Sequence, residues 1–128
     1  MESIISQLKK SKHVLIASHE NPDGDAIGSL LATGLALQSI GKQTSLYNIS
    51  KIPAVYRFLP KVNAIVKKIE DIGHYDTAVI LDCGDLSRIG KLALKVSKIP
   101  SIINIDHHET NITEITIINP AAEKMISG

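Results

Sequence analysis

The amino-acid sequence predicts an α/β fold, a doubly wound and mainly parallel five-stranded sheet flanked by helices. Short apolar runs alternate with longer segments of helical periodicity, and this rhythm is typical of doubly wound sheets. Most of the apolar runs are continuous, as expected for parallel strands that are covered on both faces. With 128 residues, the chain has the length of one domain.

Five apolar runs are the predicted strands. They lie at residues 13–18, 44–48, 77–82, 101–106 and 114–119. Hydrophobic residues make up 44% of the chain and aromatic residues only 3%, so the core is predicted to be aliphatic. A domain of this size buries about two thirds of the surface of its unfolded chain, which is enough for a core without disulfides.

The helix with the clearest pattern is predicted over residues 25–40, where Ile27 and Leu30 begin an apolar stripe that neighbouring alanines widen. Gly41 is predicted to end this helix. Shorter helices are predicted at three further places, opening at Pro53, near 61–70 and over 85–96.

Charge and cysteine content argue against several classes of protein. The net charge of +1 gives no broad basic surface for duplex DNA, whose non-specific binding needs many phosphate contacts. The single cysteine, Cys83, excludes an intramolecular disulfide and a thiolate-rich zinc site. The sequence has neither a signal-peptide pattern nor the ~20 consecutive apolar residues of a membrane span. We therefore expect a cytoplasmic protein without a membrane partner.

Carboxylates and imidazoles follow three of the predicted strands. In an open parallel sheet, ligands bind in the crevice at the carboxyl ends of the strands. The side chains expected at this edge are His19, Asp23 and Asp25 after the first strand, Asp82 and Asp85 after the third, and Asp106, His107 and His108 after the fourth. Three separate segments are thus predicted to converge on one site.

This set of side chains indicates a metal site. Clustered carboxylates raise one another's pKa unless a cation lies between them. Carboxylates and imidazoles without sulfur favour Mn²⁺ or Mg²⁺, and the set is large enough for two ions. Two ions about 3.5–4 Å apart are the usual arrangement for the attack of water on phosphorus. Gly24 is predicted to leave room for a phosphate or to adopt an unusual φ angle.

Several of these residues also have a structural interpretation. Asp25 is placed to be the N-cap of the 25–40 helix, and Asp82 is placed to be a turn residue. Asp85 is predicted to cap a helix in preference to binding metal. The remaining candidates are assigned ordinary roles, Cys83 as a small buried side chain and His13 and His74 as surface residues.

Three segments resemble the motifs of the DHH phosphoesterase superfamily. The superfamily is named after an Asp-His-His triplet, which corresponds here to Asp106, His107 and His108. The three segments are "HENPDGDAIGS", "ILDCGDLSRIG" and "NIDHHETN", in the order and spacing of the family. The first motif resembles the bacterial bifunctional oligoribonuclease and 3′-phosphoadenosine 5′-phosphate (pAp) phosphatase subfamily. RecJ-type exonucleases usually have aspartate where His19 stands, and family II pyrophosphatases typically have threonine where Gly24 stands.

The resemblance implies two Mn²⁺ ions, with Mg²⁺ or Co²⁺ as alternatives, and it assigns their ligands residue by residue. The implied metal ligands are His19 and Asp23 on the first ion, Asp25 and His107 on the second, and Asp82 on both. His108 is implied to contact the scissile phosphate or the leaving oxygen, and Asp106 to orient His107. Gly24 and Arg88 are the candidate substrate contacts, although Arg88 on a helix is also typical of a surface residue.

Two elements of the family have no counterpart in residues 1–128. The metal-binding aspartate expected beyond the fifth strand has no candidate after Glu123, and the C-terminal DHHA1 domain is not present. The last segment also begins an unfinished helical pattern at Ala121. We therefore expect the N-terminal portion of a DHH catalytic domain, which is weakly active or inactive when isolated.

The sequence thus predicts a manganese-dependent phosphoesterase module that hydrolyses short single-stranded RNA oligonucleotides and pAp. Cyclic dinucleotides, pyrophosphate and polyphosphate are the alternative substrates, although Gly24 argues against pyrophosphate. A non-catalytic metal- or nucleotide-binding fragment is the alternative from another class. The oligomeric state is left open, with a homodimer as one alternative.

Overall fold

The computed structural model describes residues 2–81, 90, 92–107 and 113–118. Within them, the strands are β1 (His13–Ser18), β2 (Gln43–Tyr47), β3 (Ile65–Val66), β4 (Thr77–Leu81), β5 (Ser101–His107) and β6 (Thr113–Ile118). The α-helices are α1 (Glu2–Lys10), α2 (Gly24–Ser39) and α3 (Ala93–Val96). Single 3₁₀ turns lie at Ala54–Tyr56, Val62–Ala64 and Ile72–His74.

The six strands form one sheet in the order β3-β2-β1-β4-β5-β6. Every pair from β3 to β5 is parallel, and β6 pairs with β5 in the antiparallel direction. The chain builds outward from β1 to β3 and then returns to place β4 on the other side of β1. This arrangement confirms the doubly wound α/β fold, and it puts the point where strand order reverses between β1 and β4.

The core lies on both faces of the sheet and is aliphatic, as predicted. On one face, the buried residues of α2, among them Ile27 and Leu30, pack against β1, β4 and β5. On the other face, Val96 of α3 and the nearby Leu92 and Ile99 pack against the same strands. Since both faces are covered, the central strands are apolar without alternation. None of the helices in the described part of the chain is long and apolar enough to cross a membrane.

All five predicted strands are present, but the elements between β2 and β4 differ from prediction. The helix predicted near 61–70 is wrong, since this segment forms a 3₁₀ turn followed by β3. Its β-branched residues and the left-handed Lys61 (φ 62°) disfavour a helix. The helix predicted from Pro53 is a single 3₁₀ turn, which ends before Pro60. Helix α1 has no counterpart among the predicted elements, and only Ala93–Val96 of the predicted 85–96 helix lies in an α-helix of the described part.

The C-terminal end of α2 confirms the role predicted for Gly41. Gly41 has a left-handed φ of 86°. Its N–H donates to the Gln38 carbonyl, and the Lys42 N–H donates to the Leu37 carbonyl, each at 3.0 Å. These two bonds form a Schellman motif, in which the left-handed position favours glycine. The motif turns the chain directly into β2.

We predict opposite effects of the same substitution at two glycines of this region. Gly41→Ala places a Cβ in a left-handed conformation and is expected to lower the free energy of unfolding by about 1 kcal/mol. Gly28→Ala lies on the exposed side of α2, where the added Cβ meets no atom within 4 Å. It is expected to raise that free energy by up to about 1 kcal/mol. Urea unfolding measures both changes. A change of the same sign at the two positions would contradict the role of Gly41 in the helix cap.

Candidate metal-binding site

Three central strands of the sheet share one register row near their carboxyl ends. Ser18 of β1 pairs with Leu81 of β4, and Leu81 pairs with Ile105 of β5. Neighbouring strands lie about 4.8 Å apart. The three paired residues therefore span about 10 Å across the sheet, and the strand order reverses between β1 and β4.

The predicted ligands occupy the positions that follow this row in the chain. His19 follows Ser18, Asp82 follows Leu81, and Asp106 follows Ile105. Asp106 and His107 are the last two residues of β5, so their backbone lies at the same edge of the sheet as His19. Asp82 lies outside the described residues, as do Asp85, Arg88 and His108.

His19 is half-buried and its ring is held by a hydrogen bond. Its Nδ1 lies 2.6 Å from the Glu20 carbonyl oxygen. A carbonyl oxygen only accepts hydrogen bonds, so Nδ1 is the donor of this bond, and in a neutral imidazole the lone pair then lies on Nε2. Metal-binding histidines are usually held in this way by a partner on the second nitrogen. In the neutral form of His19, this bond leaves Nε2 as the nitrogen that can bind a metal.

Asp23 is the N-cap of α2. Its Oδ1 accepts a hydrogen bond of 2.8 Å from the Ala26 N–H, and its backbone is extended. The interpretation of Asp25 as the N-cap is therefore wrong, because Asp25 lies inside the first turn of α2. The cap uses one carboxylate oxygen of the exposed Asp23, and the carboxylate has a second. Asp25 is also exposed, and its negative charge is favourable in the first turn of a helix.

Gly24 adjoins an aromatic ring. A Cβ at Gly24 would lie 3.0 Å from Cε1 of Tyr56, which is tighter than ordinary contact. The expectation of an unusual φ is wrong, since Gly24 is not among the positive-φ glycines. The contact of Gly24 with a phosphate stays a prediction. Tyr56 was not anticipated from the sequence, because nothing in its local pattern connects it with the first motif.

The segment after β2 also holds the loop after β1 through Asn48. The Asn48 side chain is fully buried, and its Nδ2 donates to Ser18 Oγ at 2.7 Å and to the His19 carbonyl at 2.8 Å. Its Oδ1 accepts from the Ser50 N–H at 2.9 Å. In turn, Ser50 Oγ accepts from the N–H of Asn21, a residue with a left-handed φ of 54°. The sequence signal for this role is an amide at the end of an apolar strand.

The described residues do not by themselves form a complete metal site. Within them, no group of three His, Cys, Asp or Glu side chains is close enough to hold an ion. The proposed ligand set therefore stays a prediction. His13 begins β1 at the opposite edge of the sheet, and the exposed His74 contacts Asp71 at 3.2 Å, as expected for residues outside the site.

Two substitutions of Asp23 separate its role as the N-cap of α2 from the contribution of its negative charge. In the absence of metal, Asp23→Ala loses the bond to the Ala26 N–H and is expected to lower the free energy of unfolding by about 1 kcal/mol. Asp23→Asn keeps a capping oxygen and is expected to change it by only a few tenths of a kcal/mol. Thermal or urea unfolding in EDTA makes the comparison. Equal losses in both variants would show that the cap is not what Asp23 contributes.

Removing the amide of Asn48 is expected to destabilise the protein. Asn48→Ala leaves the buried Ser18 hydroxyl and the His19 carbonyl without their partner, at a cost of about 1–3 kcal/mol. The matched control is Asn63→Ala, which changes an exposed asparagine and is expected to cost less than about 0.5 kcal/mol. Urea unfolding compares the two. A cost no larger than that of the control would contradict the role of Asn48.

Comparison with known proteins finds relatives in sequence and in fold. The bifunctional oligoribonuclease and PAP phosphatase NrnA of Thermus thermophilus is 39% identical over 98 residues. The match covers 77% of this chain and 28% of that protein. The crystal structure of an exopolyphosphatase-related protein from Bacteroides fragilis superposes with a TM-score of 0.76 at 28% identity, over 84% of this chain and 34% of that one.

The chain thus spans about a third or less of the length of these proteins. The sequence model of the DHH family, N-terminal domain, matches residues 13–128. This match includes all three motifs and every predicted site residue. The resemblance to the DHH phosphoesterases is therefore confirmed, and this chain belongs to the DHH family.

Proposed function

We propose that this chain is the N-terminal catalytic part of a phosphoesterase that hydrolyses short RNA oligonucleotides and pAp. The observation that carries the proposal is the register row of Ser18, Leu81 and Ile105, which brings three motif segments to one edge of the sheet. Membership of the DHH family supports phosphoester hydrolysis. The two substrates are those in the name of the NrnA relative, extended here to a chain that covers 28% of it.

The donors proposed for the site suit divalent cations by their chemistry. His19 presents Nε2, Asp23 has one carboxylate oxygen outside its cap, and Asp25 is exposed in the same turn. Oxygen and imidazole donors without sulfur suit Mn²⁺ and Mg²⁺. We infer two Mn²⁺ ions, the first held by His19 and Asp23 and the second by Asp25. The remaining ligands in this proposal are His107 on the second ion and Asp82 on both.

The cations supply one part of the proposed chemistry, since a bound pair lowers the pKa of water and polarises the phosphoryl group. The chain supplies the rest. His108 is proposed to contact the scissile phosphate or the leaving oxygen, and Asp106 is proposed to orient His107. Asn48 fixes the carbonyl of His19, and the cap by Asp23 fixes the start of α2. Gly24 and Arg88 are proposed to face the substrate.

A second candidate activity is the hydrolysis of polyphosphate. It is favoured by the structural similarity to a protein described as exopolyphosphatase-related. The identity to that protein is 28%, whereas the identity to the oligoribonuclease relative is 39%. We therefore place oligoribonucleotides and pAp first. Polyphosphate turnover in the same assay, with no release from a dinucleotide or pAp, would reverse this order.

The substitution Asp82→Ala tests the proposed mechanism. Because Asp82 is proposed to bind both ions, its loss is expected to lower hydrolysis of a diribonucleotide and of pAp by more than about a hundredfold. The assay uses the intact protein at saturating Mn²⁺. His74→Ala is the control and is expected to keep activity within about threefold, since His74 lies in an exposed turn away from the site.

Two results would count against the proposal. Near-normal turnover by the Asp82 variant would remove the bridging role of this carboxylate. Failure of the intact wild-type protein to hydrolyse either substrate with Mn²⁺, Mg²⁺ or Co²⁺ would remove the enzymatic function itself. Binding of nucleotide without turnover would then favour the non-catalytic alternative.

A further inference from the structure

One segment of the chain carries several cationic side chains and no acidic one. Residues 51–68, called here the basic strip, contain five cationic side chains and no acidic one. They are Lys51, Arg57, Lys61, Lys67 and Lys68, and all five are exposed. Since the whole chain carries +1, the residues outside the strip carry a net charge of −4. The net charge of the chain is small, but charge is distributed unevenly between the basic strip and the rest of the chain.

Two grooves adjoin the basic strip and share Lys67. The larger has a volume of about 390 Å³, with Lys67, Lys68 and Lys95 at its rim and Tyr47 and Ile49 among its apolar lining. Burial raises the pKa of the Tyr47 phenol, so the charge of this groove comes from its lysines. The smaller groove has a volume of about 240 Å³. Its cationic side chains are Lys51, Arg57 and Lys67.

The basic strip also exposes apolar side chains beside its cations. Phe58, the single phenylalanine of the chain, is 79% exposed, and Val55 is 66% exposed. Phe58 directly follows Arg57. Cations spaced along a groove, with exposed aromatic and apolar surface between them, are typical of sites for single-stranded nucleic acids. The phosphates contact the cations, and the bases stack on the apolar groups.

The basic strip is continuous with the candidate metal-binding site. It begins just after β2, whose carboxyl end lies beside that of β1. Its Tyr56 ring lies next to Gly24 of the first motif, 3.0 Å from where a Cβ on that glycine would be. Just before the strip, Ser50 Oγ accepts a hydrogen bond from the Asn21 N–H, and Ile49 lies 2.9 Å from where a Cβ on Gly90 would be. An oligonucleotide whose terminal phosphate lies at the candidate metal-binding site can thus extend along the basic strip.

We propose that the basic strip binds the phosphates of an oligoribonucleotide that lie several nucleotides away from the scissile one. The choice of RNA as the occupant rests on the proposed function. The strip then contributes mainly to binding of a longer oligonucleotide, because pAp has no phosphates several nucleotides away from the scissile one. One active site would in this way serve both substrates, with the strip adding affinity mainly for the longer.

The experiment compares two double variants of the intact protein. Lys67→Ala with Lys68→Ala removes two cations of the strip. Lys9→Ala with Lys10→Ala removes two adjacent exposed cations of α1, which leads into the opposite edge of the sheet. Binding of a fluorescein-labelled pentaadenylate is measured by anisotropy over a range of salt concentrations in EDTA. Turnover of unlabelled pentaadenylate and of pAp is measured separately with Mn²⁺.

We expect the Lys67/Lys68 variant to bind pentaadenylate about tenfold or more weakly than the wild type. A plot of log affinity against log salt concentration should also be less steep. Its slope should fall by about 1.4, which is about 0.7 for each lost phosphate contact. The KM for pentaadenylate should rise with little change in kcat, and pAp turnover should stay within about twofold. The Lys9/Lys10 variant should match the wild type. Lys95→Ala, across the larger groove, should reduce the slope by about 0.7.

The inference is overturned if both double variants bind pentaadenylate equally, whether both are weakened or neither is. It is also overturned if the Lys67/Lys68 variant loses pAp turnover as strongly as pentaadenylate turnover. If the Lys67/Lys68 variant binds pentaadenylate as tightly as the wild type, an acidic protein becomes the alternative partner of the basic strip. If the wild type hydrolyses neither substrate, the proposed function fails, whereas the salt-dependent binding still decides whether the strip binds RNA.

Discussion

The parallel register of β1, β4 and β5 is the constraint on which the site depends. It puts Ser18, Leu81 and Ile105 on one row near the carboxyl ends of these strands, at the point where strand order reverses. A shift of β4 by one residue would send the residue after Leu81 to the other face of the sheet, because side chains alternate along a strand. The buried apolar faces of the sheet hold this register, so the packing of the core also fixes the geometry of the candidate site.

Hydrogen bonds between side chains and the backbone hold the loop after β1 on this frame. Asn48 reaches from the end of β2 to the carbonyl of His19, and Asp23 caps the helix that follows. Both side chains are therefore structural, yet both act on the residues proposed to bind metal. A carboxylate that caps a helix with one oxygen loses rotational freedom, which lowers the entropy cost of binding a cation with the other. Capping and ligation are compatible roles for Asp23.

The sequence predicted the strands and the site edge better than the connecting segments. Continuous apolar runs identify buried strands such as β1 and β4, and the C-terminal glycine of α2 has a local signal that the structure confirms. The sequence predicts a helix near 61–70, in the segment before β4, and this helix does not form. The segment's two-residue strand β3 and its 3₁₀ turns depend on pairing with β2. Likewise, the contact of Tyr56 with Gly24 is tertiary and has no local signature.

A crystal structure of the intact protein grown with Mn²⁺, with anomalous data collected at the manganese edge, tests the central claim most directly. The account predicts two anomalous peaks at the carboxyl edge of the sheet between β1 and β4. The first should lie within coordination distance of His19 Nε2 and of the Asp23 oxygen that does not cap α2. Manganese bound elsewhere, or an ordered crystal with no manganese at this edge, would contradict the account.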